Sequence, residues 1–334
     1  MKSVVIGVAV AGAVSFTTLT QLPSAPAAIQ VRGSTLVASR WKNPQLLYTL
    51  TGHSGSIDSL AFSPDSQLLA SGGGYNDTKI RLWQPETGKK VGMMRAHQTA
   101  VRAIVITPDS QTLASASDDD TVNLWNLKTN KFTHAFRDHT SNVLSLAVTP
   151  DSKILVSAGL DGIRLTNLQQ QRPLGILVRF NNLIHAVAIS PDGQLLASGD
   201  ERGAIKLWDL NSERLIRSVS GHSATVSSVA FTPDGETLVT ASHDRTIKLW
   251  NVRTGELVRT LNGHSDWVNA VAINPDGKTL ASAGRDGIKL WQLDSGELMN
   301  TLSAHSDWVS AIAFSPNGQI LASGGFDKTI KIWR

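Results

Sequence analysis

The chain has no cysteine among its 334 residues, so disulfide bonds, thiolate zinc sites and thiol nucleophiles are excluded together and packing must supply the stability. It also lacks a long apolar run. The one candidate, Ser3 to Phe16, is ended by Thr17, Thr18, Thr20 and Gln21 at about thirteen residues, short of the ~20 that span a bilayer. There is no phosphate loop, since Ser71-Gly-Gly-Gly74 has neither the lysine nor the following helix. There is no Gly-x-Ser-x-Gly, and no His, Asp or Glu group stands at metal-ligand spacing apart from the repeat described below. Nor is there a basic stripe. The excess of 31 Lys and Arg over 27 Asp and Glu gives a net charge of +4, spread over six units at Arg81, Arg164, Lys206, Lys248, Lys289 and Lys331. Nucleic-acid binders concentrate such residues on one face, so no nucleic-acid partner is expected.

What the sequence has is a unit that comes round seven times: a histidine, Pro-Asp about eleven residues later, then Ser or Thr, Asp and Trp. The histidine column reads His53, His97, His139, His222, His264 and His305, with Phe180 in its gap, in steps of 44, 42, 41, 42, 42 and 41. A fixed period means one supersecondary unit that cannot bury its own face and is stacked on copies of itself, so the length implies one closed domain. Each unit holds four short strand-like runs. In the sixth, Pro275-Asp276-Gly277 supplies a fixed φ, a turn-forming carboxylate and a residue tolerant of positive φ, as a hairpin between its first two strands requires, and Asp294-Ser295-Gly296 serves the last two. The runs are five or six residues long without helical period, so each unit is expected to be a four-stranded antiparallel meander. Seven meanders stacked about an axis cover both faces of every sheet, which predicts an all-β, seven-bladed β-propeller.

These residues resemble WD40 repeats, and the amino-terminal pattern described below is similar to a bacterial exported type. Only Trp208-Asp209 is a literal Trp-Asp pair; elsewhere Gln84, Asn126, Asn251, Gln292 or Arg334 follows the tryptophan. The chain ends on the third strand of its last unit at Trp333-Arg334, while Gln45 to Leu50 matches the fourth-strand segments Leu257 to Leu261 and Leu298 to Leu302. The resemblance therefore implies that the amino-terminal strand completes the last blade.

The recurring His, Ser or Thr, Asp and Trp invite comparison with a nucleophilic triad. A triad is needed once, whereas this set recurs five times, from His53/Ser71/Asp77/Trp83 to His305/Ser323/Asp327/Trp333, which points to scaffolding. The family resemblance implies a hydrogen-bonded chain joining a loop, the second strand, a turn and the third strand. Thr166 replaces the tryptophan of the third unit, and Phe180 and Arg202 replace the histidine and aspartate of the fourth, so blades three and four are expected to form the weaker arc. No catalytic residue, cofactor or metal is expected.

At the amino terminus, Met1-Lys2, the short apolar core and Ala25-Pro26-Ala27-Ala28 have the outline of a secretory signal. The expected organisation is a signal peptide over residues 1-28, a linker over 29-43 and the propeller over 44-334. This implies a periplasmic or secreted protein without stable membrane insertion after cleavage; retention of residues 1-28 as an anchor is the competing reading. Function is sought where the repeats disagree. Three residues after the histidines lie Trp267 and Trp308, and just before the turn aspartates lie His243, Arg285 and Phe326. Trp and Arg dominate interface hot spots, so these five residues are the candidate partner-binding patch. The leading expectation is a monomeric, non-enzymatic platform for a protein or peptide partner. The alternatives are a small-molecule or hydrolytic site at the central channel, and a cytoplasmic or membrane-tethered assembly scaffold.

Overall fold

A computed structural model describes residues 41–179, 183–303 and 305–334. The expected signal peptide, most of the linker and Phe180 lie outside the described residues. Among these, twenty-eight strands make seven separate four-stranded sheets, each a consecutive antiparallel meander apart from the last. Blade 1 runs Ile57–Phe62, Leu69–Gly73, Lys79–Gln84 and Lys89–Arg95. Blades 2 to 6 repeat it, from Val101–Ile106, Val143–Val148, Ile184–Ile189, Val226–Phe231 and Val268–Ile273 onward. The first strands touch one another in sequence around the ring, and the first strand of blade 1 also meets Val309–Phe314 of blade 7. The all-β seven-bladed propeller expected from the period is the fold.

The composition of each strand follows from its place. Second strands such as Leu69–Gly73 and Thr279–Gly284 are buried throughout and built from Leu, Ala, Ser and Gly, because a neighbouring blade covers each face. The small residues let blades approach: a Cβ on Gly324 would lie 2.5 Å from the Ile57 side chain of the next blade. Fourth strands such as Lys89–Arg95 form the outer rim and are largely exposed. At the hairpin between first and second strands, residues at positive φ fall in one column, from Ser66 (63°) to Gly277 (69°) and Gly318 (69°). In most blades a preceding hydroxyl donates to the turn carboxylate, as Ser63 does to Asp65 at 2.5 Å and Thr232 to Asp234 at 2.5 Å.

The seventh sheet is completed by the amino-terminal strand Leu46–Leu50, paired with Ile330–Trp333 in the register Tyr48↔Ile332, Thr49↔Lys331, Leu50↔Ile330. Gln45 and Arg334 exchange both backbone hydrogen bonds, at 2.7 and 2.9 Å. Packing against the blade extends ahead of residue 44. Trp41, read as linker, is fully buried among Leu290, Leu302, Ile312 and Trp333, with Phe314 edge-on at 5.0 Å. It stands four residues before Gln45, as Leu210 stands before Arg214 and Leu293 before Glu297, and so fills the position those buried leucines hold ahead of their own fourth strands. The chain ends separate Trp41 from the strand it follows in space, which hid the match.

Candidate partner-binding face

In every blade the register of the first strand slips by one residue just after its start, at Ile57/Ser59, Val101/Ala103, Val143/Ser145, Ile184/Ala186, Val226/Ser228, Val268/Ala270 and Val309/Ala311. A bulge leaves the extra residue unpaired and re-aims it. The residues so displaced, Asp58, Arg102, Leu144, His185, Ser227, Asn269 and Ser310, line the central channel. Most of their polar groups are spent on the ring itself. Ser227, Asn269 and Ser310 donate to the carbonyls of Val268, Val309 and Ile57 in the following blades at 2.5, 3.0 and 2.6 Å. Arg102 binds Asp118 through Nε and Nη2 and reaches Asp58 of blade 1 at 2.9 Å, while Asn142 of blade 3 donates to Asp118 at 2.9 Å. This column five residues after the histidine was missed in the sequence because its members share no chemistry; the slipped register unites them.

The repeated polar set forms the chain that the resemblance implied. In blade 6, His264 Nδ1 meets Asp286 at 2.5 Å and Nε2 meets the Ser282 hydroxyl at 2.7 Å, and Trp291 Nε1 donates to that hydroxyl at 2.8 Å. The same bonds recur at His53, His97, His222 and His305. In blade 3 His139 keeps Asp161 and Ser157 at 2.6 and 2.8 Å, and Thr166 stands where the others have tryptophan. In blade 4 Trp208 still donates to Ser198 at 3.1 Å, and Asp200 accepts the backbone N–H groups of Arg202 and Ala204 in place of the missing turn aspartate. Burial pushes the His53, His139, His222, His264 and His305 imidazoles below their ordinary value against the pull of their carboxylates, so the neutral ring is the resident form. Burial raises the Asp244 carboxyl, but the Thr246 hydroxyl, backbone N–H donors and His222 outweigh it and bring it down to about 2. Three members of the basic column noted in the sequence are drawn into the same system. Arg81 pairs with Asp77 at 2.6 Å, Arg164 with Asp161 at 2.7 Å and Lys289 with Asp286 at 3.3 Å, all largely buried.

The five candidate residues come together. His243 of blade 5 stacks on Trp267 of blade 6 with ring centroids 4.3 Å apart and planes 11° from parallel. Trp267 meets Trp308 of blade 7 edge-on at 5.9 Å, and Trp308 meets Phe326 at 5.8 Å. The Arg285 guanidinium lies 5.1 Å over the Trp308 ring and reaches Asp266 at 3.5 Å. The rule behind the row is an offset of one blade: the residue before one turn aspartate meets the residue three past the next histidine. Hence His243 joins Trp267, Arg285 joins Trp308, and on the far side Asp118 joins Asn142. The loops are pinned by Asp266 and Asp307, which accept the backbone N–H groups of Trp267 and Trp308, each at 2.8 Å. Trp267 and Phe326 remain 44% and 46% exposed and, with the half-buried Trp308 between them, form one contiguous aromatic strip.

The model of the WD domain, G-beta repeat, matches seven times, at residues 44–84, 88–126, 130–163, 172–209, 213–251, 255–292 and 296–334. Among curated proteins the chain is similar to Protein hir-1 of Neurospora crassa, 40% identical over 73 residues, 22% of this chain and 7% of that protein. It is similar to eukaryotic translation initiation factor 3 subunit I of Scheffersomyces stipitis, 41% identical over 83 residues, 24% of this chain and 23% of that one. Periodic tryptophan protein 2 of Arabidopsis thaliana is 28% identical over 173 residues, 51% of this chain and 19% of its own. The chain thus spans less than a quarter of the length of each of these relatives, all of them eukaryotic. Seven matched repeats, seven sheets and a recurring His–Ser/Thr–Trp bond network agree, and the chain belongs to the WD40 repeat family.

Proposed function

We propose that this propeller is a non-enzymatic scaffold that holds a protein partner on the face carrying His243, Trp267, Arg285, Trp308 and Phe326. WD40 propellers are typically protein-interaction platforms, and the observation that carries the reading to this face is the exposed, mutually braced aromatic row. Two kinds of group that could serve catalysis are committed elsewhere. The tetrad histidines bind their own serine or threonine and aspartate, and the polar channel side chains of blades 5 to 7 hold neighbouring blades. Aromatic anchors that are already ordered bind with little loss of side-chain entropy.

The scaffold is further proposed to work outside the cytoplasm, on the strength of the signal-like pattern in residues 1-28. Affinity capture from the exported fraction with the native chain and with Trp267→Ala/Trp308→Ala tests both statements. The double variant is expected to melt like the native chain and to lose the partner. Unchanged capture removes this face, and a mature mass that retains residues 1-28 in the cytoplasmic fraction removes the export.

A further inference from the structure

We infer that the aromatic row takes an extended, proline-rich segment of its partner in the polyproline II conformation; this rests on the proposed function above and names the chemistry of the partner. Three features of the row carry it. The first is rigidity: Trp267 is held between His243 and Trp308, Trp308 between Arg285 and Phe326, and both tryptophan backbones are tied to the preceding aspartates. Rings fixed in this way at successive angles of 11°, 74° and 50° form a ridged surface that suits a ligand with a fixed shape of its own, and the polyproline II helix is preformed at low entropic cost.

The second is the hydrogen-bonding sense of the surface. Neither the Trp267 nor the Trp308 indole N–H has a hydrogen-bond partner among the described residues, and Arg285 has one long contact to Asp266. The acceptors beside them are partly spent, since Asp266 serves the Trp267 backbone and Arg285, and Asp307 serves the Trp308 backbone. The row thus offers donors and apolar ring faces. A polyproline strand is the complement, because its prolines have no N–H and its carbonyls make no internal hydrogen bonds. The third is spacing and charge. The rings of Trp267, Trp308 and Phe326 touch, with centroids 5.9 and 5.8 Å apart, and so present a continuous strip along which an extended segment can lie, and Arg285 is paired with Asp266, so the strip carries no unpaired cation to select an acidic segment.

The test uses the full propeller labelled with nitrogen-15, titrated to millimolar concentration with a ten-residue oligoproline peptide while the indole N–H resonances are followed. The Trp267 and Trp308 signals, identified through Trp267→Phe and Trp308→Phe, are expected to move while the tetrad indoles stay. Each of these variants keeps an aromatic ring and loses one donor, so the peptide should bind about threefold to tenfold more weakly to each. A peptide of equal length with alternate prolines replaced by glycine should bind more weakly than oligoproline. The inference is overturned if oligoproline moves neither signal, if the Phe variants bind it as the native chain does, or if cellohexaose moves those signals and oligoproline does not. Loss of partner capture in Trp267→Ala/Trp308→Ala without oligoproline binding would discard the proline-rich class and keep the scaffold face. Capture that survives the double variant would discard the face itself.

Discussion

One serine or threonine hydroxyl in each complete tetrad is the junction of two side chains, and that makes it the most informative single atom to remove. Ser282 Oγ sits 2.7 Å from His264 Nε2 and 2.8 Å from Trp291 Nε1, in a place without solvent. Ser282→Ala leaves two buried ring nitrogens unsatisfied, at about 1–3 kcal/mol each before relaxation, so thermal unfolding should shift down by several degrees. A melting temperature within a degree of the native value would show that the tetrad contributes nothing net. Elsewhere the packing falls short. Ile205, Leu207, Val219, Trp250 and Val252 line an apolar gap between blades 4 and 5 of about 30 Å³. The next interface has Leu261 and Leu293 in the corresponding places, so two valines account for the gap. Val219→Leu is expected to add roughly 0.7 kcal/mol at ~24 cal/mol per Å³ filled, and a denaturant midpoint that falls would mean the gap cannot admit the larger side chain. At this scale the sequence was legible where a residue type repeats in its column. It was silent where the shared property is backbone geometry, as at Asp58, Arg102 and His185, or where the contact partner lies one blade along, as for His243 and Trp267.

The strand that closes the ring has a weight its length does not suggest. Leu46–Leu50 was legible because it spells a fourth strand, and its pairing with Ile330–Trp333 ties residues at opposite ends of the chain. Deleting residues 44 to 50 should destabilise the whole ring in one cooperative step, since blade 7 would lose its outer strand; a truncation that melts like the full chain would refute this. Trp41 was not legible, because the leucine column it continues is broken by the chain ends. Trp41→Ala should cost about 3–5 kcal/mol as a buried tryptophan truncation, with the loss read in a lowered denaturant midpoint and confined in hydrogen exchange to blades 6 and 7. Blades three and four carry the departures at Thr166 and Arg202, and amides between residues 139 and 210 are expected to exchange faster than those of blades 5 and 6. Uniformly slow exchange there would contradict the weaker arc.

Both arcs of the ring have polar ties between blades at the channel, and one arc adds ties at the outer rim. On the outer rim, Tyr48 donates to the Glu86 carbonyl at 3.1 Å, Arg217 to Arg253 at 3.2 Å, Arg259 to Ser295 at 2.7 Å and Asn300 to Lys42 at 2.7 Å, each reaching a neighbouring segment from one register position of the fourth strand. At that position blades 1 to 3 have Gly92, His134 and Gly175, and there the Asp58–Arg102–Asp118–Asn142 network ties the blades at the channel. The arcs also share the tetrad, so acid should act on the ring as a whole. The imidazoles of His53, His139, His222, His264 and His305 are held below 6.5 chiefly by burial, so below that pH the unfolded chain takes up protons that the folded chain refuses. Their contribution is complete above 6.5 and is lost as the pH falls through the folded values. The tetrad aspartates act with the same sign in a lower window: Asp244, at about 2 when folded against an ordinary 3.8, contributes stability above 3.8 that disappears as the pH falls towards 2. The melting temperature is therefore expected to be level between pH 8 and 7, to fall from about pH 6.5, and to fall more steeply below about pH 4. His222→Gln, which removes one of the five imidazoles, should make the upper part of that fall shallower and, by taking His222 from Asp244, soften the lower part slightly as well. A melting temperature that rises between pH 7 and pH 5 would mean that imidazolium–carboxylate attraction outweighs burial, and would reverse the assignment of the neutral ring.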